Sequence, residues 1–319
     1  MKLPRRRFLY LAVSATALSA LPDPALAFDY PTRPVRIVVG FPAGGPTDIF
    51  ARLIAQWLSQ RLGQPFVVEN RSGAGSTIGI ASVVGAPADG YTLLLVSTSA
   101  VISAAYYKNL SFEIIRDIAP VCGISSEPLV MVVNPAVPAK TVREFIAYAI
   151  VMASVGNGTT PQLAGELFKL MAGINLLHVP YQGASPALTD LLGGRADVMF
   201  EAMPTLVGYI KSGKLRALAV GTKTRSPVFP EIPTVAEFLP GYEATVWFGI
   251  GAPAKTPEEI VERLNKEINA GLNDPALSAR ISDLGGIRLT GSSADFRKLF
   301  VDDAQKWAKV MREANIQPE

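Results

Sequence analysis

Apolar residues along this chain fall into short continuous runs, separated by longer stretches with helical spacing. The runs are rich in Val, Ile and Leu and mostly do not alternate with polar residues, which is typical of strands buried on both faces of a sheet. They occupy residues 35–41, 66–69, 92–97, 129–133, 151–155, 176–181, 198–200, 215–221 and 245–251. We therefore predict a strand at each of these positions.

Between the strands, apolar residues recur at helical spacing, and a glycine follows each clear pattern. The predicted helices are residues 48–62, 162–171 and 205–211, with Gly63, Gly173 and Gly213 after them. After residue 251 only helical patterns remain, at 257–272, 275–284 and 294–314. This alternation predicts an α/β fold with mainly parallel sheets and helices on both faces. The pattern alone leaves open whether the C-terminal helices return to the first α/β unit.

The N-terminal segment has the layout of a secretory signal peptide. Lys2 and three consecutive arginines from Arg5 precede an apolar stretch that ends at Leu21, and Ala25-Leu26-Ala27 offers small residues for cleavage. The apolar stretch is shorter than the roughly 20 residues that cross a bilayer. We expect cleavage after Ala27 and export to the periplasm, by either the Sec or the twin-arginine route.

Cleavage changes the charge of the chain. Residues 1–27 carry four of the 30 Lys and Arg residues and one of the 27 acidic residues, which leaves a net charge near zero. Because no dense basic run remains, we expect no nucleic-acid partner. Cys122, the only cysteine, is interpreted as a small buried hydrophobe, with a reactive thiol as the alternative. The residues after Ala27 exceed the usual size of one core, so we expect two domains.

Three loops between a predicted strand and a predicted helix have the composition of anion-binding loops. Residues 41–48 read Phe-Pro-Ala-Gly-Gly-Pro-Thr-Asp, residues 155–161 read Val-Gly-Asn-Gly-Thr-Thr-Pro, and residues 181–186 read Tyr-Gln-Gly-Ala-Ser-Pro. Glycines let backbone N–H groups converge, and the following helix N-terminus adds positive potential. In open α/β sheets ligands bind beyond the carboxyl ends of strands, where such loops lie. The spacing fits neither a nucleotide P-loop nor a dinucleotide motif, and plain strand-to-helix connections are the alternative.

The sequence offers little support for covalent chemistry. His178, the only histidine, lies in an apolar run and is interpreted as a packed or structural residue rather than a catalytic or metal-binding one. Residues 183–187, Gly-Ala-Ser-Pro-Ala, resemble the nucleophile elbow of an esterase. That elbow uses the N–H of the residue after the serine, and Pro186 has none. A periplasmic hydrolase that uses Ser185 is therefore a minor alternative.

Together these motifs resemble those of the periplasmic solute-binding proteins of tripartite tricarboxylate transporters, the Bug family. The resemblance begins at Tyr30-Pro31 and covers essentially all of the chain after the predicted signal peptide. It includes Pro-Ala-Gly-Gly-Pro-Thr-Asp at residues 42–48. Further matching segments are residues 68–71, 88–92, 156–158, 178–183, 191–194, 213–219 and 233–237.

The resemblance implies a type II-like flytrap of the periplasmic binding-protein type, in which two domains close around a ligand. Residues 28–127 with 248–319 would form domain 1, and residues 128–247 would form domain 2. Loop amides and hydroxyls would hold a small carboxylate: a di- or tricarboxylate, an acidic amino acid or an aromatic acid. The implied ligand-binding residues are Pro42, Gly44, Gly45, Thr47, Asp48, Thr98, Ser99, Asn157, Gly158, Thr159, Thr160, Tyr181, Gly183 and Glu201.

The resemblance further implies a transport receptor, not an enzyme. Its partners would be the carboxylate and the membrane permease subunits of a tripartite transporter; the protein would be a monomer without cofactor or metal. A periplasmic sensor that presents the carboxylate to a signalling partner has the same fold and site, and is the alternative. Arg52 and Arg71 lie near the loops and are candidates for contacts to the carboxylate, with surface or packing roles as the alternative.

The sequence departs from the family pattern at three places. Residues 145–152 run from helix to strand without the Lys-, Pro- and Gly-containing turn of the family. Either the helix is shorter than its apolar pattern, or this copy folds poorly. Gln162 and Glu201 stand where family members more often have histidine and aspartate, and both changes bear on contacts to the far end of the ligand.

Overall fold

Strands and helices alternate through most of the chain, as the apolar pattern predicts. The computed structural model describes residues 29–148 and 151–317. The strands are β1 (Val35–Val39), β2 (Phe66–Asn70), β3 (Thr92–Ser97), β4 (Ile118–Val133), β5 (Val151–Ser154), β6 (Leu177–Pro180), β7 (Val198–Ala202), β8 (Arg216–Val220), β9 (Thr245–Pro253) and β10 (Ile287–Arg288).

The helices lie between the strands and after β9. They are α1 (Pro46–Leu62), α2 (Thr77–Val84), α3 (Thr98–Tyr106), α4 (Ile114–Asp117), α5 (Val142–Ile146), α6 (Thr160–Ala172), α7 (Ala184–Leu192), α8 (Met203–Lys211), α9 (Glu258–Leu272), α10 (Pro275–Asp283) and α11 (Ser293–Glu313). Short 3₁₀ helices form at Ala74–Ser76 and Val235–Glu237.

Two groups of parallel strands are joined through one long strand, β4. In the first sheet the order is β2-β1-β3-β9-β4, with β10 beside β4, and β1, β2 and β3 are parallel. In the second sheet the order is β6-β5-β7-β4-β8, and β5, β6 and β7 are parallel. The strands that flank β4 pair with it antiparallel, so the sheet is mixed. The α/β class agrees with the prediction, which did not specify these antiparallel pairs.

Strand β4 changes its partner within one residue step. Residues up to Pro128, which lies opposite Thr245, pair with β9, and residues from Leu129 onward pair with β7 and β8. The register against β9 shifts after Pro120 and again after Gly123. A proline cannot donate to the ladder and glycine often marks a bulge, so both residues fit these irregularities.

The structure corrects the predicted elements after residue 251 and directly after β3. Only helices were predicted after residue 251, but β9 continues to Pro253, and Ile287–Arg288 pair with Ser125 and Ser126 of β4. Helix α3, which was not predicted, follows β3 directly. Seven of its nine residues are buried, so its sequence lacks the polar face by which a surface helix is recognised.

The helix before residue 150 is shorter than its apolar pattern. Thr141 caps α5 by accepting the N–H of Glu144, the helix ends at Ile146, and Tyr148 lies in the turn that follows. Ala149 and Ile150, where the missing turn was noted, lie outside the described residues. The described part therefore agrees with the alternative in which the helix shortens to supply the connection.

Helix α1 forms for local reasons that are visible in the sequence. Pro46 occupies its first turn, and Gly63 ends it with φ 71° while donating its N–H to Ser59. The helix buries Phe50, whose ring stacks on Phe248 of β9 with the centroids 4.9 Å apart. This packing fixes the start of α1, and the loop before it, against the first sheet.

Helix α11 covers the same sheet near β9. It begins with a capping box between Ser292 and Asp295. Phe296 and Phe300 pack around Trp247 of β9, with ring centroids 5.2 and 5.6 Å from the indole. Burying a large apolar side chain stabilises a fold by roughly 1.5–3 kcal/mol, so this cluster fixes the C-terminal helix to the first sheet.

The predicted signal peptide, residues 1–27, lies outside the described residues. Within residues 29–148 and 151–317, we find no helix with the length and apolarity needed to cross a bilayer. Cleavage after Ala27 stays a prediction.

Candidate functional site

A small cavity lies where the loops after β1, β3 and β5 meet the end of β7. Its empty volume, which includes space open to solvent, is about 430 Å³, and we call it the inner cavity. Among the predicted site residues, Pro42, Gly45, Thr47, Ser99 and Glu201 line it. The remaining lining residues are Phe41, Pro46, Ser97, Leu129, Val155, Pro161, Ala184, Ala202, Val246 and Phe248.

Five helices begin at the inner cavity. Its lining contains an N-cap or first-turn residue of each of α1, α3, α6, α7 and α8, namely Gly45, Ser97, Pro161, Ala184 and Ala202. The first N–H groups of a helix lack an intrahelical partner, and the helix dipole places about half a positive charge there. The described lining contains no Lys or Arg, so backbone N–H groups and helix dipoles are the groups that would attract an anion here.

A second, wider cavity adjoins the inner one and shares Phe41, Pro42 and Val155 with it. It holds about 750 Å³, and we call it the outer cavity. The predicted residues Asn157, Tyr181 and Gly183 line it together with Pro42. Another part of its wall is the loop of residues 72–76, which the sequence did not identify as part of the site.

This loop has an unusual backbone. Gly73, Ala74, Gly75 and Ser76 have φ values of 136°, 44°, 59° and 86°. Such values cost a non-glycine residue about 1–2 kcal/mol. Ser76 is 3% exposed, and its Oγ has no hydrogen-bond partner in the described part of the chain. The sequence signal was a Gly-Ala-Gly segment between a strand and a helix, the same design as the three predicted loops.

Asp48 lines neither cavity and stabilises the first predicted loop through its hydrogen bonds. Its Oδ2 accepts the N–H of Gly44 at 3.1 Å and Nε of Arg52 at 2.9 Å, and its Oδ1 accepts Nη2 of Arg52 at 2.9 Å and Nδ2 of Asn70 at 3.0 Å. Burial by itself raises the pKa of Asp48, but these hydrogen bonds outweigh it and the pKa lies below its usual value. Arg52 and Gly44 thus belong to the support of the loop.

In the second predicted loop, Gly158 and Thr159 also bond to protein groups and line neither cavity. The N–H of Gly158 donates to Oε1 of Gln162 at 2.7 Å, and its carbonyl accepts Oγ of Ser103 at 2.7 Å. The hydroxyl of Thr159 donates to the carbonyl of Gly156 at 2.7 Å. Gln162 therefore acts within the protein, as an acceptor that fixes this loop.

Ser99, which lines the inner cavity, is joined by hydrogen bonds to Thr160, which lines neither cavity. Their hydroxyl oxygens are 2.9 Å apart, and the N–H of Thr160 donates to Oγ of Ser99 at 3.1 Å. Near the outer cavity, a methyl group added to Gly183 would lie 2.9 Å from ring carbons of Pro42. The loops after β1 and β3 are therefore in direct contact with those after β5 and β6.

Thr98 and Tyr181 direct their hydroxyls to neighbouring side chains. Thr98 Oγ1 accepts the backbone N–H of Trp247 at 3.0 Å and lies 3.4 Å from Oδ2 of Asp303 on α11. Tyr181 donates its hydroxyl to Oδ2 of Asp190 at 2.7 Å. Burial raises the pKa of Tyr181, and the bond to Asp190 raises it further.

Among the described residues that line the inner cavity, Glu201 alone has an ionisable side chain. It is 1% exposed, and its Oε1 accepts the N–H of Ala202 at 2.8 Å. Its Oε2 has no hydrogen-bond partner among the residues that the structure describes. Burial raises the pKa of Glu201 to about 7, against a smaller lowering by the Ala202 N–H. The carboxyl group therefore changes its protonation state near neutral pH.

The remaining candidate residues, His178 and Cys122, have surroundings that fit structural roles. His178 on β6 lies with Nε2 2.6 Å from Oγ of Ser154, and burial lowers its pKa. Cys122 on β4 is buried, which raises the pKa of its thiol to about 12. Across residues 29–148 and 151–317, no three His, Cys, Asp or Glu side chains lie where they would hold a metal ion together.

Comparison with known proteins gives consistent matches over most of the chain. Residues 50–316 match the family model described as "Tripartite tricarboxylate transporter family receptor". Protein BugT of Bordetella pertussis is 37% identical to this chain over 306 residues, which are 93% of this chain and 94% of BugT.

Solved structures match in fold as well as in sequence. Rpa4515 of R. palustris, solved with adipate, is 36% identical, with a TM-score of 0.89 over 91% of this chain and 100% of its own. The periplasmic binding protein BugD is 35% identical, with a TM-score of 0.86 over 91% and 100% of the two chains. MatC of Rhodopseudomonas palustris, solved with bound malate, is 31% identical, with a TM-score of 0.83 over 88% and 99%. The predicted periplasmic binding-protein fold is confirmed.

Proposed function

This chain belongs to the family of tripartite tricarboxylate transporter receptors, and on that premise we propose that it captures a small carboxylate and delivers it to the membrane permease subunits of such a transporter. Its family and its structural relatives are solute-binding proteins. For this chain we propose binding without catalysis, by a monomer without cofactor.

The observation that carries this proposal is the meeting of five helix N-termini around the inner cavity. Unpaired N–H groups and helix dipoles stabilise a carboxylate without a basic side chain. The backbone at Gly45 and the hydroxyls of Thr47 and Ser99 would contact the carboxylate, and Thr160 is hydrogen-bonded to Ser99. Relatives solved with adipate and with malate support a carboxylate ligand.

The binding mechanism would be closure of two lobes around the ligand. We propose residues 28–127 with 248–319 as one lobe and residues 128–247 as the other; the change of partner in β4 at Pro128 supports this division. A ligand that contacts both lobes favours the closed state by its differential contacts. Breaking the hydrogen bond between the hydroxyls of Ser99 and Thr160 would free both hydroxyls to contact the ligand.

The proposed location is the periplasm, after cleavage behind Ala27. Intact-mass measurement of the exported protein tests this directly, since a chain that begins at Phe28 has a unique mass. A mass that retains residues 1–27 would contradict cleavage at this position.

A thermal-shift screen of the exported protein tests the ligand. The panel contains adipate, malate, citrate, glutamate and benzoate, each paired with its uncharged amide. A ligand at about a hundred times its dissociation constant adds roughly 2.7 kcal/mol, which raises the midpoint by several degrees. We expect a shift with at least one carboxylate and none with its amide.

Two matched variants locate the site. Thr47→Val removes a hydroxyl from the inner cavity and should reduce the shift, whereas Thr256→Val removes a buried hydroxyl that lines neither cavity and should leave it unchanged. A cooperative thermal unfolding transition whose midpoint no carboxylate raises would contradict the proposed function.

A further inference from the structure

We propose that Glu201 takes up one proton from solvent when a carboxylate enters the inner cavity, and that its Oε2 then donates a hydrogen bond to the bound carboxylate. This inference rests on the proposed function and specifies its binding chemistry. It assigns to the cavity a hydrogen-bond donor that is present only in the protonated form of Glu201.

The first step of the argument is the arrangement of Glu201. Its side chain lines the inner cavity, is 1% exposed and leaves Oε2 without a hydrogen-bond partner among the described residues. An unpaired buried polar atom is costly, so a ligand group that pairs with it gains affinity. A ligand group that reaches Oε2 would therefore satisfy this atom.

The second step is charge. The other fourteen lining residues are uncharged, so two ionised carboxylates in this cavity would repel each other without a cation between them. One proton shared by the pair removes the repulsion and turns Oε2 into a donor. Helix N-termini favour one negative charge in the cavity, and the ligand then carries it.

The third step is the charged groups on the elements packed against β7. Glu166 and Lys169 on α6 form an ion pair with each other at 2.8 Å. None of the charged residues on these elements lines the inner cavity: this holds for Glu166, Lys169, Asp190 on α7, Lys211 on α8 and Glu127 on β4. Burial raises the pKa of Glu201 and the hydrogen bond from the Ala202 N–H lowers it, whereas no charged side chain contributes to the shift. A value near 7 means that proton uptake costs little at neutral pH.

Isothermal titration calorimetry tests this proposal with adipate and malate on the full exported protein. Binding enthalpies are measured at pH 8 in two buffers with different ionisation enthalpies, and affinities are measured from pH 5.5 to 8.5. For the wild type we expect uptake approaching one proton at pH 8, and affinity that falls about tenfold per pH unit above pH 7. Glu201→Gln should show neither effect, because its amide N–H donates at every pH without taking up a proton from solvent.

Glu127→Gln is the matched control, since Glu127 is also a buried glutamate with an unpaired Oε2 within the described chain but lines neither cavity. It should retain proton uptake. Binding without proton uptake in the wild type would overturn this proposal alone, as would affinity that rises with pH, which would indicate a ligand donor on ionised Glu201. No binding of any carboxylate would overturn the proposed function as well.

A separate observation leads to a second inference, also within the proposed function: we infer that the Ser76 hydroxyl binds the second polar group of the ligand in the outer cavity. Ser76 is the N-cap of the eight-residue helix α2, and its buried Oγ is unpaired in the described chain. It lies in the wall of the cavity that adjoins the inner one. A dicarboxylate whose first carboxylate occupies the inner cavity would place its second group there.

Ser76→Gly separates the two roles of this residue. Since φ is 86°, glycine should relieve backbone strain and raise the melting temperature of the unliganded protein, while the adipate-induced shift should fall toward that of hexanoate. Asn109→Gly, at another positive φ of 58° on an exposed turn, should relieve strain and keep the adipate shift. An adipate shift that Ser76→Gly leaves intact would overturn this inference, whatever its effect on stability.

Discussion

Glu127 carries a buried carboxyl group in the strand that both sheets share. Its Oε1 accepts the hydroxyl of Ser125 at 2.6 Å, and Gly286 packs so closely that a methyl group there would clash with both side chains. Burial raises the pKa of Glu127 to about 8, and the Ser125 bond lowers it less. Near neutral pH the folded protein therefore holds this group mainly in its protonated form.

This arrangement predicts that Glu127 makes the protein less stable as the pH rises. The unfolded carboxyl ionises above about pH 4.3, whereas the folded one stays protonated up to about pH 8, so between these values the unfolded state binds fewer protons. Glu127→Gln should match the wild type near pH 4 and exceed its free energy of unfolding by an amount that grows toward pH 8, by at most about 1.4 kcal/mol per pH unit. Urea unfolding of both proteins at several pH values measures this difference in the free energy of unfolding.

The exposed variant Glu262→Gln on α9 is the control and should change stability by less than about 0.5 kcal/mol at every pH. A gap for Glu127→Gln that stays constant from pH 4 to pH 8 would show that burial does not shift this carboxyl.

At the residue scale, the sequence identified the loops of the candidate site but not which of their groups face the cavities. Asp48 and Gly158 stand in the predicted loops, yet their polar groups are taken by Arg52 and Gln162. Such pairings depend on distances that spacing along the chain does not contain. Ser76 was missed because only the Gly-Ala-Gly segment before it marked its loop, and a serine by itself does not indicate a binding site.

At the scale of elements, the accuracy of prediction followed the continuity of the apolar pattern. Strand β3 was predicted with its observed bounds, since all six residues are buried and no proline or glycine interrupts them. The first part of β4 was missed because Pro120, Gly123 and Pro128 interrupt its run. The predicted α/β class was therefore confirmed, whereas the antiparallel pairing of β4 with β9 could not be predicted from the apolar pattern.

Helix α11 offers a test of local stability at its N-terminus. The Ser292 hydroxyl accepts the N–H of Asp295 at 3.1 Å as half of the capping box. Ser292→Ala should lower the free energy of unfolding by about 1 kcal/mol, as for other N-cap residues. Guanidinium unfolding measures this change.

Ser282→Ala, at an exposed position near the end of α10, is the control and should change stability by less than about 0.5 kcal/mol. Equal effects of the two variants would contradict the capping role of Ser292.

At the scale of the whole molecule, the proposed lobes touch through loops that carry the candidate site. Ser103 of α3 donates to the carbonyl of Gly158 at 2.7 Å, and both lie outside the two cavity linings. This bond joins the proposed lobes without offering a group to a ligand. It therefore favours the closed arrangement independently of ligand contacts.

Ser103→Ala should shift the unliganded protein toward open forms. A net loss of about 1 kcal/mol corresponds to roughly a fivefold change in the equilibrium between closed and open forms. Small-angle X-ray scattering should therefore give a larger radius of gyration without ligand, and carboxylate affinity should fall by up to the same factor. Ser82→Ala, which removes a local bond to Gly79, is the control and should leave both measurements unchanged. An unchanged radius of gyration for Ser103→Ala would contradict the role of this bond in closure.

The position of β9 between β3 and β4 has a consequence for synthesis. As the chain leaves the ribosome, β3 and β4 appear long before their common neighbour, which starts only at Thr245. Until then both strands expose edges that attract other extended chains. The nascent protein thus carries an incomplete first sheet through the synthesis of residues 134–244, and this interval is where holding by a chaperone would protect it most.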